Sequence, residues 1–547
     1  MIYHMKFIYL ACIALFLLLS GCYDDKGNYD YDPLNRIEIE SFNVPRTYYL
    51  GDKIEIKPVL NFAIDSIEDH LLFEWTILGN KKIYSHDLSY IADTLGNGNI
   101  LLCIKDTVNN IEYTQYTDCN IKTEYEAEGY MILSKGANNE SLLSYIKLTS
   151  NPNYSSKTGE GETNYYTCKD YYNVYHVTNN ESMGRGPLKL LQHFRSANTE
   201  NGSEVGAFWI FQEEPGCIDI SGVSFQKDVT LASQFMDGMP AGFKAHDMVD
   251  MTWSTFVIGE DGTMYNRKKE TEYLFNSGLF LNNIVTFEED GNIYPVSGKG
   301  VVHHRYKTAG YTLFHEKTLN RFLLMTDGSQ QNGGQILSPG ILGDNIYTPK
   351  DAARINDLGD MEMICCGANR VSWGNRFYAI LKAKDGTFYS YTFDMGDTFF
   401  GRSPDVEKVE QKELPAAAQT TLSSIINGSS KNLFNVGFAN TENASGSTNG
   451  KQLLDYVLIT KDNELYLLER KSGNIILYDS FDATITSIDT EAYNAWIAGI
   501  GLENGEFHIM EMTNAGYTKE HPRRMYSSET DFGGIVDIRF KNGADWQ

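Results

Sequence analysis

The sequence predicts an all-β protein in two parts, a small N-terminal sandwich and a larger array of repeated hairpins. Three observations predict it. Short stretches of strictly alternating apolar and polar residues fill the chain from Arg36 to about residue 125. Asp-Gly and Asn-Gly pairs punctuate apolar runs through the remainder. Large aromatic residues recur there at a step of about 60 residues, without helical periodicity.

The first part is read from alternation. Ile37-Glu38-Ile39-Glu40 and Lys53-Ile54-Glu55-Ile56-Lys57 alternate, which sends one set of side chains inward and the other outward. Leu72-Phe73-Glu74-Trp75-Thr76-Ile77 continues the series, with Trp75 as a core residue. Ile100–Ile104 and Ile111–Thr114 follow. Turns are expected at Leu50-Gly51-Asp52, Gly79-Asn80, Gly96-Asn97-Gly98-Asn99 and Asn109-Asn110. Several short strands around a central Trp over residues 36–125 predict an immunoglobulin-like sandwich.

The second part, residues 129–547, is read from its repeat. Trp253 leads to Asp261-Gly262, Trp373 to Asp385-Gly386, and Trp496 to Asn504-Gly505. The three Trp positions are 120 and 123 residues apart. Asp-Gly and Asn-Gly between apolar runs mark hairpins, because both turn residues tolerate φ > 0. Phe314, followed by Asp327-Gly328, and Phe434 stand midway between the Trp markers. Extending the step backward gives positions near 191 and 130, the latter at Gly129-Tyr130-Met131-Ile132-Leu133. The copy near 191 is the poorest, and its best strand is Ala207–Phe211. Seven hairpin-rich steps predict a seven-bladed β-propeller, whose closure removes exposed sheet edges. The short last step is expected to borrow a strand from the start of the region. Unrelated hairpins in stacked sandwiches are the competing arrangement. Ser150–Glu162, Asn427–Ser430 and Asn440–Gly450 are polar stretches expected to be loops.

The N-terminus carries the clearest chemistry. Lys6 precedes an apolar run from Phe7 to Leu19, followed by Leu19-Ser20-Gly21-Cys22-Tyr23-Asp24-Asp25. At 1.5 Å per residue, 13 residues reach about two-thirds of a bilayer core, so the run predicts a signal peptide over residues 1–21. Leu-Ser-Gly-Cys resembles a bacterial lipobox. That resemblance implies cleavage before Cys22 and attachment of lipid to its sulfur, and more than one acyl chain gives stable anchoring. An ordinary signal peptide with a stray cysteine is the alternative. Asp24-Asp25 resembles the export signal that moves Bacteroidetes lipoproteins to the outer face of the outer membrane; otherwise these aspartates begin a solvated tether over residues 22–35.

Charge excludes some partners. The whole chain carries −26, and removing residues 1–21, whose one charge is Lys6, leaves −27. Nucleic-acid phosphates need Lys and Arg, so no nucleic-acid partner is expected. An anionic membrane surface would repel this body as well, and solubility is the simple account of the charge.

Of eight cysteines, Cys12 leaves with the signal and Cys22 is the lipid site, which leaves Cys103, Cys119, Cys168, Cys217, Cys365 and Cys366. The absence of Cys-x-x-Cys gives no support to a zinc ribbon or thioredoxin-type site. An oxidising compartment permits disulfides Cys103–Cys119 and Cys168–Cys217 on neighbouring strands; free buried thiols are the alternative. His303-His304 would point to opposite faces of a strand and could not share a metal, and His246-Asp247 lacks further ligands nearby. The Asp-Gly turns, Asp327-Gly328-Ser329 among them, lack the flanking residues of sialidase Asp-boxes and read as turns. No metal or other cofactor is expected. The recurring Trp residues read as packing between repeats rather than as ligand platforms.

The order lipobox, Tyr-Asp-rich tether (Gly27-Asn28-Tyr29-Asp30-Tyr31), strand pair around Gly51-Asp52, then Phe73-Glu74-Trp75 resembles the PKD-like lipoproteins of Bacteroidetes over about residues 19–125. The resemblance implies an outer-membrane lipoprotein beside nutrient-uptake systems of the starch-utilisation type, without defining an activity. Two functions follow as expectations. One is a non-catalytic, surface-exposed binding or assembly module whose partners are the membrane (through Cys22), an outer-membrane transporter, surface lipoproteins, and a glycan or peptide ligand. The other is an extracellular hydrolase or lyase acting on a glycan or peptide at the propeller channel.

Overall fold

A computed structural model describes residues 34–154, 162, 164–194, 205–251, 254–269, 278–285, 287–294, 302, 311–326, 335–337, 349–371, 374–396, 406–428, 431–438, 447–448, 451–452, 454–491 and 494–543. Cys22, Asp24-Asp25, Trp253, His303-His304, Asp327-Gly328-Ser329, Trp373 and most of Asn440–Gly450 lie outside them. The chain divides into two compact units, Met1–Lys122 and Thr123–Gln547.

In the first unit, Thr47–Tyr49, Ile111–Lys122, Gly96–Asp106, Leu71–Ile77 and Lys81–Ile83 form a five-stranded sheet in that order. Ile37–Ile39 pairs with Leu60–Phe62, and Lys53–Ile56 with Leu88–Ile91. Alternation sends Trp75, Ile77, Ile100, Leu102 and Ile104 into one core with Ile37, Ile54, Ile56, Leu88 and Tyr90. Trp75 is fully buried, and its indole N–H donates to the Ser85 carbonyl at 3.0 Å, so burial leaves no polar atom stranded. Each such side chain contributes roughly 1.5–3 kcal/mol.

One expected turn is part of a strand. Gly96-Asn97-Gly98-Asn99 is not a turn but the start of the strand Gly96–Asp106. Leu78, at φ 49°, lies over this stretch, and a Cβ on Gly96 or Gly98 would come within 3.1 and 3.3 Å of its side chain. These glycines serve close packing rather than chain reversal.

The second unit holds seven successive antiparallel sheets of three or four strands among the described residues. The first comprises Gly534–Lys541, Gly129–Lys135, Ser141–Ser150 and Tyr166–Tyr171. The second follows with Arg185–His193, Ala207–Glu214, Ile218–Ser221 and Lys227–Thr230. Ala245–Asp250, Ser254–Gly259 and Met264–Lys268 make the third, and Tyr311–Glu316, Arg321–Thr326 and Gln335–Leu337 the fourth. Four strands, Glu362–Val371, Gly374–Lys382, Phe388–Gly396 and Val406–Glu413, make the fifth. Phe434–Gly437, Tyr456–Lys461, Glu464–Glu469 and Ile475–Ser480 make the sixth. The seventh is Ile485–Thr490, Ile497–Leu502, Phe507–Glu511 and Arg524–Ser527.

The edge strands Ile485–Thr490, Gly534–Lys541, Arg185–His193 and Ala245–Asp250 neighbour one another in that order. Glu362–Val371, Phe434–Gly437 and Ile485–Thr490 do likewise. Val302 stands at the corresponding edge of the fourth sheet, where its N–H donates to the Leu313 carbonyl at 3.0 Å. This is a β-propeller-like arrangement. The second strand of each sheet is covered on both faces, which explains apolar runs such as Ala207–Phe211 and Tyr456–Ile459 that do not alternate.

The 60-residue step is an average. Trp253, Phe314, Trp373 and Trp496 fall just before or within second strands, whereas positions 191 and 434 fall in first strands. The spacing between second strands is uneven because loops and a helix are inserted between sheets. Ring completion also differs from expectation: Gly534–Lys541, from the end of the chain, pairs with Gly129–Lys135 and completes the first sheet. Ala416–Gly428 is a 13-residue helix burying Ala418, Leu422 and Ile425, so Asn427 and Gly428 end a helix instead of lying in a loop. Its spacing of four and three residues is helical, but one such segment is lost among hairpins.

The hairpin turns share one construction. Gly259 and Thr263 close a three-residue loop through Gly259 N–H to Thr263 O at 2.7 Å, and Asp261 Oδ1 accepts from Thr263 N at 2.9 Å. Ala383–Thr387 and Leu502–Glu506 repeat both bonds, with Asp385 and Asn504 as the acceptors. Only the glycine takes positive φ: 85° at Gly262, 94° at Gly386 and 91° at Gly505. The expected two-residue turn with both residues left-handed is thus replaced by a three-residue loop.

Candidate functional site

The first strands of the sheets carry several buried and half-buried charged residues. Asp537, on the closing strand, accepts from the Leu190 N–H at 2.8 Å and from the Ser487 hydroxyl at 2.9 Å. Asp489 accepts from the Phe540 N–H at 2.7 Å. Asp250 accepts from the Phe194 N–H at 2.9 Å and from Lys269 Nζ at 2.8 Å. In each case a carboxylate on one sheet captures a main-chain donor on the next. Side chains on strand edges thereby tie neighbouring sheets where no β-ladder connects them.

Arg539 lies among these groups. Its Nε donates to the Leu190 carbonyl at 2.8 Å. Its two terminal nitrogens stand 3.5 Å from Asp489 and 3.6 Å from Asp537, ion-pair contacts longer than good hydrogen bonds. Burial works against its charge, but Asp537, Asp489 and Asp247 outweigh that and raise its pKa. Asp247 is itself held by Lys189 Nζ at 2.8 Å. His246-Asp247 therefore contributes a carboxylate to a charge network. Among the described residues no group of three or more His, Cys, Asp or Glu is placed to hold a metal.

A cavity of about 440 Å³ opens onto this network. Its walls come from edge positions of five sheets: Val302, Met363–Cys366, Phe434 and Asn435, Thr486–Ile488, and Asp537 with Arg539. Such a volume falls in the range of small-molecule sites. Most of the wall is neutral and hydrogen-bonding or soft and apolar. Burial pushes the Cys365 thiol up to about 12 and raises Cys366 as well, which keeps both protonated at neutral pH and poor as nucleophiles or metal ligands.

The other cysteines contradict the expected disulfides. Cys103 and Cys119 are free thiols on adjacent strands, but Cys103 stands opposite Thr114 and Cys119 opposite Gly98. Five residues of register separate them, roughly 17 Å at strand rise, whereas a disulfide needs Cα atoms within about 7 Å. Cys168 and Cys217 are also free and pack in different cores, beside Trp496 and Trp209 respectively. Trp496 is 7% exposed and packs on Tyr165 and Tyr166, consistent with a packing role.

Sequence reasoning missed Asp489, Asp537 and Arg539. Asp537-Ile538-Arg539 and Asp489 sit in ordinary strand patterns, and a first-strand position is recognisable only once the ring order is known. A second buried polar contact, the hydrogen bond between His193 Nε2 and Asp219 Oδ1 at 2.9 Å, was equally silent. Both residues are fully buried, and burial lowers the His193 pKa despite the aspartate.

Residues 22–187 match the model of the PKD-like family, a span that begins at Cys22 and runs past the division at Lys122. No curated protein matches the chain. Among solved structures, the chain is similar to a quinonprotein alcohol dehydrogenase-like protein from Bacteroides thetaiotaomicron, with 10% identity over 90% of this chain and 95% of that one, at a TM-score of 0.39. It is also similar to BamB from Moraxella catarrhalis, with 12% identity over 78% of this chain and 96% of that one, at a TM-score of 0.32.

Proposed function

We propose that the protein is a lipid-anchored, surface-exposed outer-membrane component that acts as a non-catalytic binding or assembly module of a nutrient-uptake system of the starch-utilisation type. Cys22 carries the lipid, residues 22–35 form the tether, an immunoglobulin/PKD-like sandwich acts as spacer, and a seven-bladed propeller presents the docking face. The lipobox motif supports the anchor, and the family match beginning at Cys22 is consistent with it.

The observation that carries the non-catalytic reading is the engagement of the cavity's carboxylate. Asp537 is held by a main-chain N–H, a serine hydroxyl and a guanidinium, and Asp489 converges on the same guanidinium. A glycosidase needs two carboxylates facing each other across a bond, one of them free to give up a proton. Asp489 and Asp537 converge on an arginine instead, an arrangement suited to holding a ligand.

Pull-down of the lipidated protein from native outer membranes tests the assembly role. Recovery of a transporter or surface lipoprotein is expected; recovery of neither sinks the role. Cys22→Ala tests the anchor separately, since it is expected to move the protein into the soluble fraction. Unchanged membrane retention would remove the lipobox reading.

A further inference from the structure

We propose that the cavity at the centre of the sheet ring is a binding site for a neutral polyhydroxylated molecule, a monosaccharide or the terminal unit of a glycan. The inference rests on reading the protein as a binding module and names the chemistry of its ligand.

The charges argue for neutrality. Arg539 and Lys189 are set against Asp537, Asp489 and Asp247, so the local balance is close to even and slightly negative. An anionic ligand would meet an arginine already shared by two aspartates. A cation would find Asp537 and Asp489 already sharing the Arg539 guanidinium and accepting main-chain N–H groups. Neither gains a free counter-charge to offset its desolvation.

The polar atoms argue for hydroxyls. Guanidinium only donates and carboxylate only accepts, whereas a hydroxyl does both. Arg539 is 27% exposed, and its terminal nitrogens, at 3.5 and 3.6 Å from the flanking carboxylates, retain donor capacity. An adjacent pair of hydroxyls can accept a hydrogen bond from Arg539 and donate one to a remaining lone pair of the carboxylate beside it, since Asp537 uses only part of its acceptor capacity on Leu190 and Ser487. The Thr486 hydroxyl donates to the Gly501 carbonyl at 3.2 Å and can still accept. Asn432 donates its amide N–H groups to the Ile425 and Thr460 carbonyls at 3.3 and 2.7 Å, so it offers the wall its side-chain oxygen as an acceptor, and Phe434 adds an apolar wall against which C–H groups can pack. A volume of about 440 Å³ suits one or two sugar units rather than a folded peptide.

The test is calorimetric titration of the full lipidated chain, held in a zwitterionic detergent without a sugar headgroup. The probes are glucose, galactose, mannose, rhamnose and N-acetylglucosamine, with glucuronate and glucosamine as charged controls. Saturable one-site binding of at least one neutral sugar is expected, and at least tenfold weaker binding in Arg539→Met. Thr486→Val, which leaves the charge network intact, is expected to weaken binding at least threefold, so the result does not depend on Arg539→Met folding. Tyr84→Ser, in the cleft of the first unit, is expected to leave binding unchanged.

Binding of none of the neutral sugars overturns the proposal, and so does preference for glucuronate or glucosamine. Binding that survives Thr486→Val and is lost in Tyr84→Ser places the sugar on the first unit and also overturns it. Partner recovery from membranes is read independently: partners recovered without sugar binding refute the cavity assignment alone, and sugar binding without partners refutes the assembly role alone.

Discussion

The Asp537 carboxylate accepts the main-chain N–H of Leu190 at 2.8 Å, although the two residues are 347 positions apart. It joins the last strand of the chain to the first strand of the second sheet, where no ladder connects them. With the ladder between Gly534–Lys541 and Gly129–Lys135, it ties the end of the chain into sheets formed near its beginning.

Removing that carboxylate should therefore be costly. Asp537→Ala orphans the Leu190 N–H and the Ser487 hydroxyl and takes one counter-charge from Arg539. A loss of about 3 kcal/mol is expected. Urea unfolding followed by circular dichroism checks this; a loss below about 1 kcal/mol would mean that the staple is dispensable.

Lys541 sits fully buried on the same closing strand, with Nζ donating to the Ala127 carbonyl at 2.7 Å. Burial lowers its pKa to about 7, against the pull of Glu126 and Glu128. An unfolded lysine titrates near 10.4, so between about pH 7 and 10.4 the unfolded chain holds the extra proton and stability rises with pH. Lys541→Met should flatten that rise and leave stability at pH 7 unchanged or higher. Thermal midpoints of both proteins at pH 7 and pH 9.5 compare the two slopes; equal slopes would count against the assignment.

Glu124 shows the opposite sign. The Tyr171 hydroxyl holds its carboxylate down first, with Lys169 and Lys147 adding to this, and its pKa falls to about 2. Its contribution is present above the ordinary carboxylate range and is lost as pH falls from about 4.3 toward 2. Glu124→Gln should cost about 1–2 kcal/mol at pH 6, after discounting for solvent screening, and much less at pH 2.5. Unfolding curves at the two pH values should converge toward acid.

The shared turn predicts a graded response to a methyl group. Gly386 has φ 94° and open space around a Cβ, so Gly386→Ala pays only for the left-handed backbone, about 1 kcal/mol. Gly505 has φ 91°, but its Cβ would stand 2.3 Å from Asp531 Oδ1 and 3.0 Å from the Gly533 backbone. Gly505→Ala should cost at least about 1 kcal/mol more than Gly386→Ala. Equal costs in denaturant melts would show that the Asp531 segment yields freely.

Much of the fold was legible because strand chemistry is local. Alternation at Ile37–Ile39 and Lys53–Ile56, the buried Trp75, and the Asp-Gly turns at residues 261–262 and 385–386 each depend on neighbours within a few positions. Cysteine pairing was not legible, since a five-residue offset between Cys103 and Cys119 depends on ladder register, which two separate strand patterns do not reveal. The even step near 191 and 434 failed because insertions such as Ala416–Gly428 stretch the loops without disturbing the sheets.

The amino-acid order alone determined that the chain is built of short strands and hairpins, because periodicity of two and left-handed glycine turns are properties of adjacent residues. Tertiary structure decided what those strands enclose. Asp489, Asp537 and Arg539 look like ordinary polar positions on half-exposed strands. They become a charged cluster beside a cavity only when the last strand returns to Gly129–Lys135 and brings Asp537 within hydrogen-bonding distance of Leu190, 347 positions away, and Phe540 within reach of Asp489, 51 positions away.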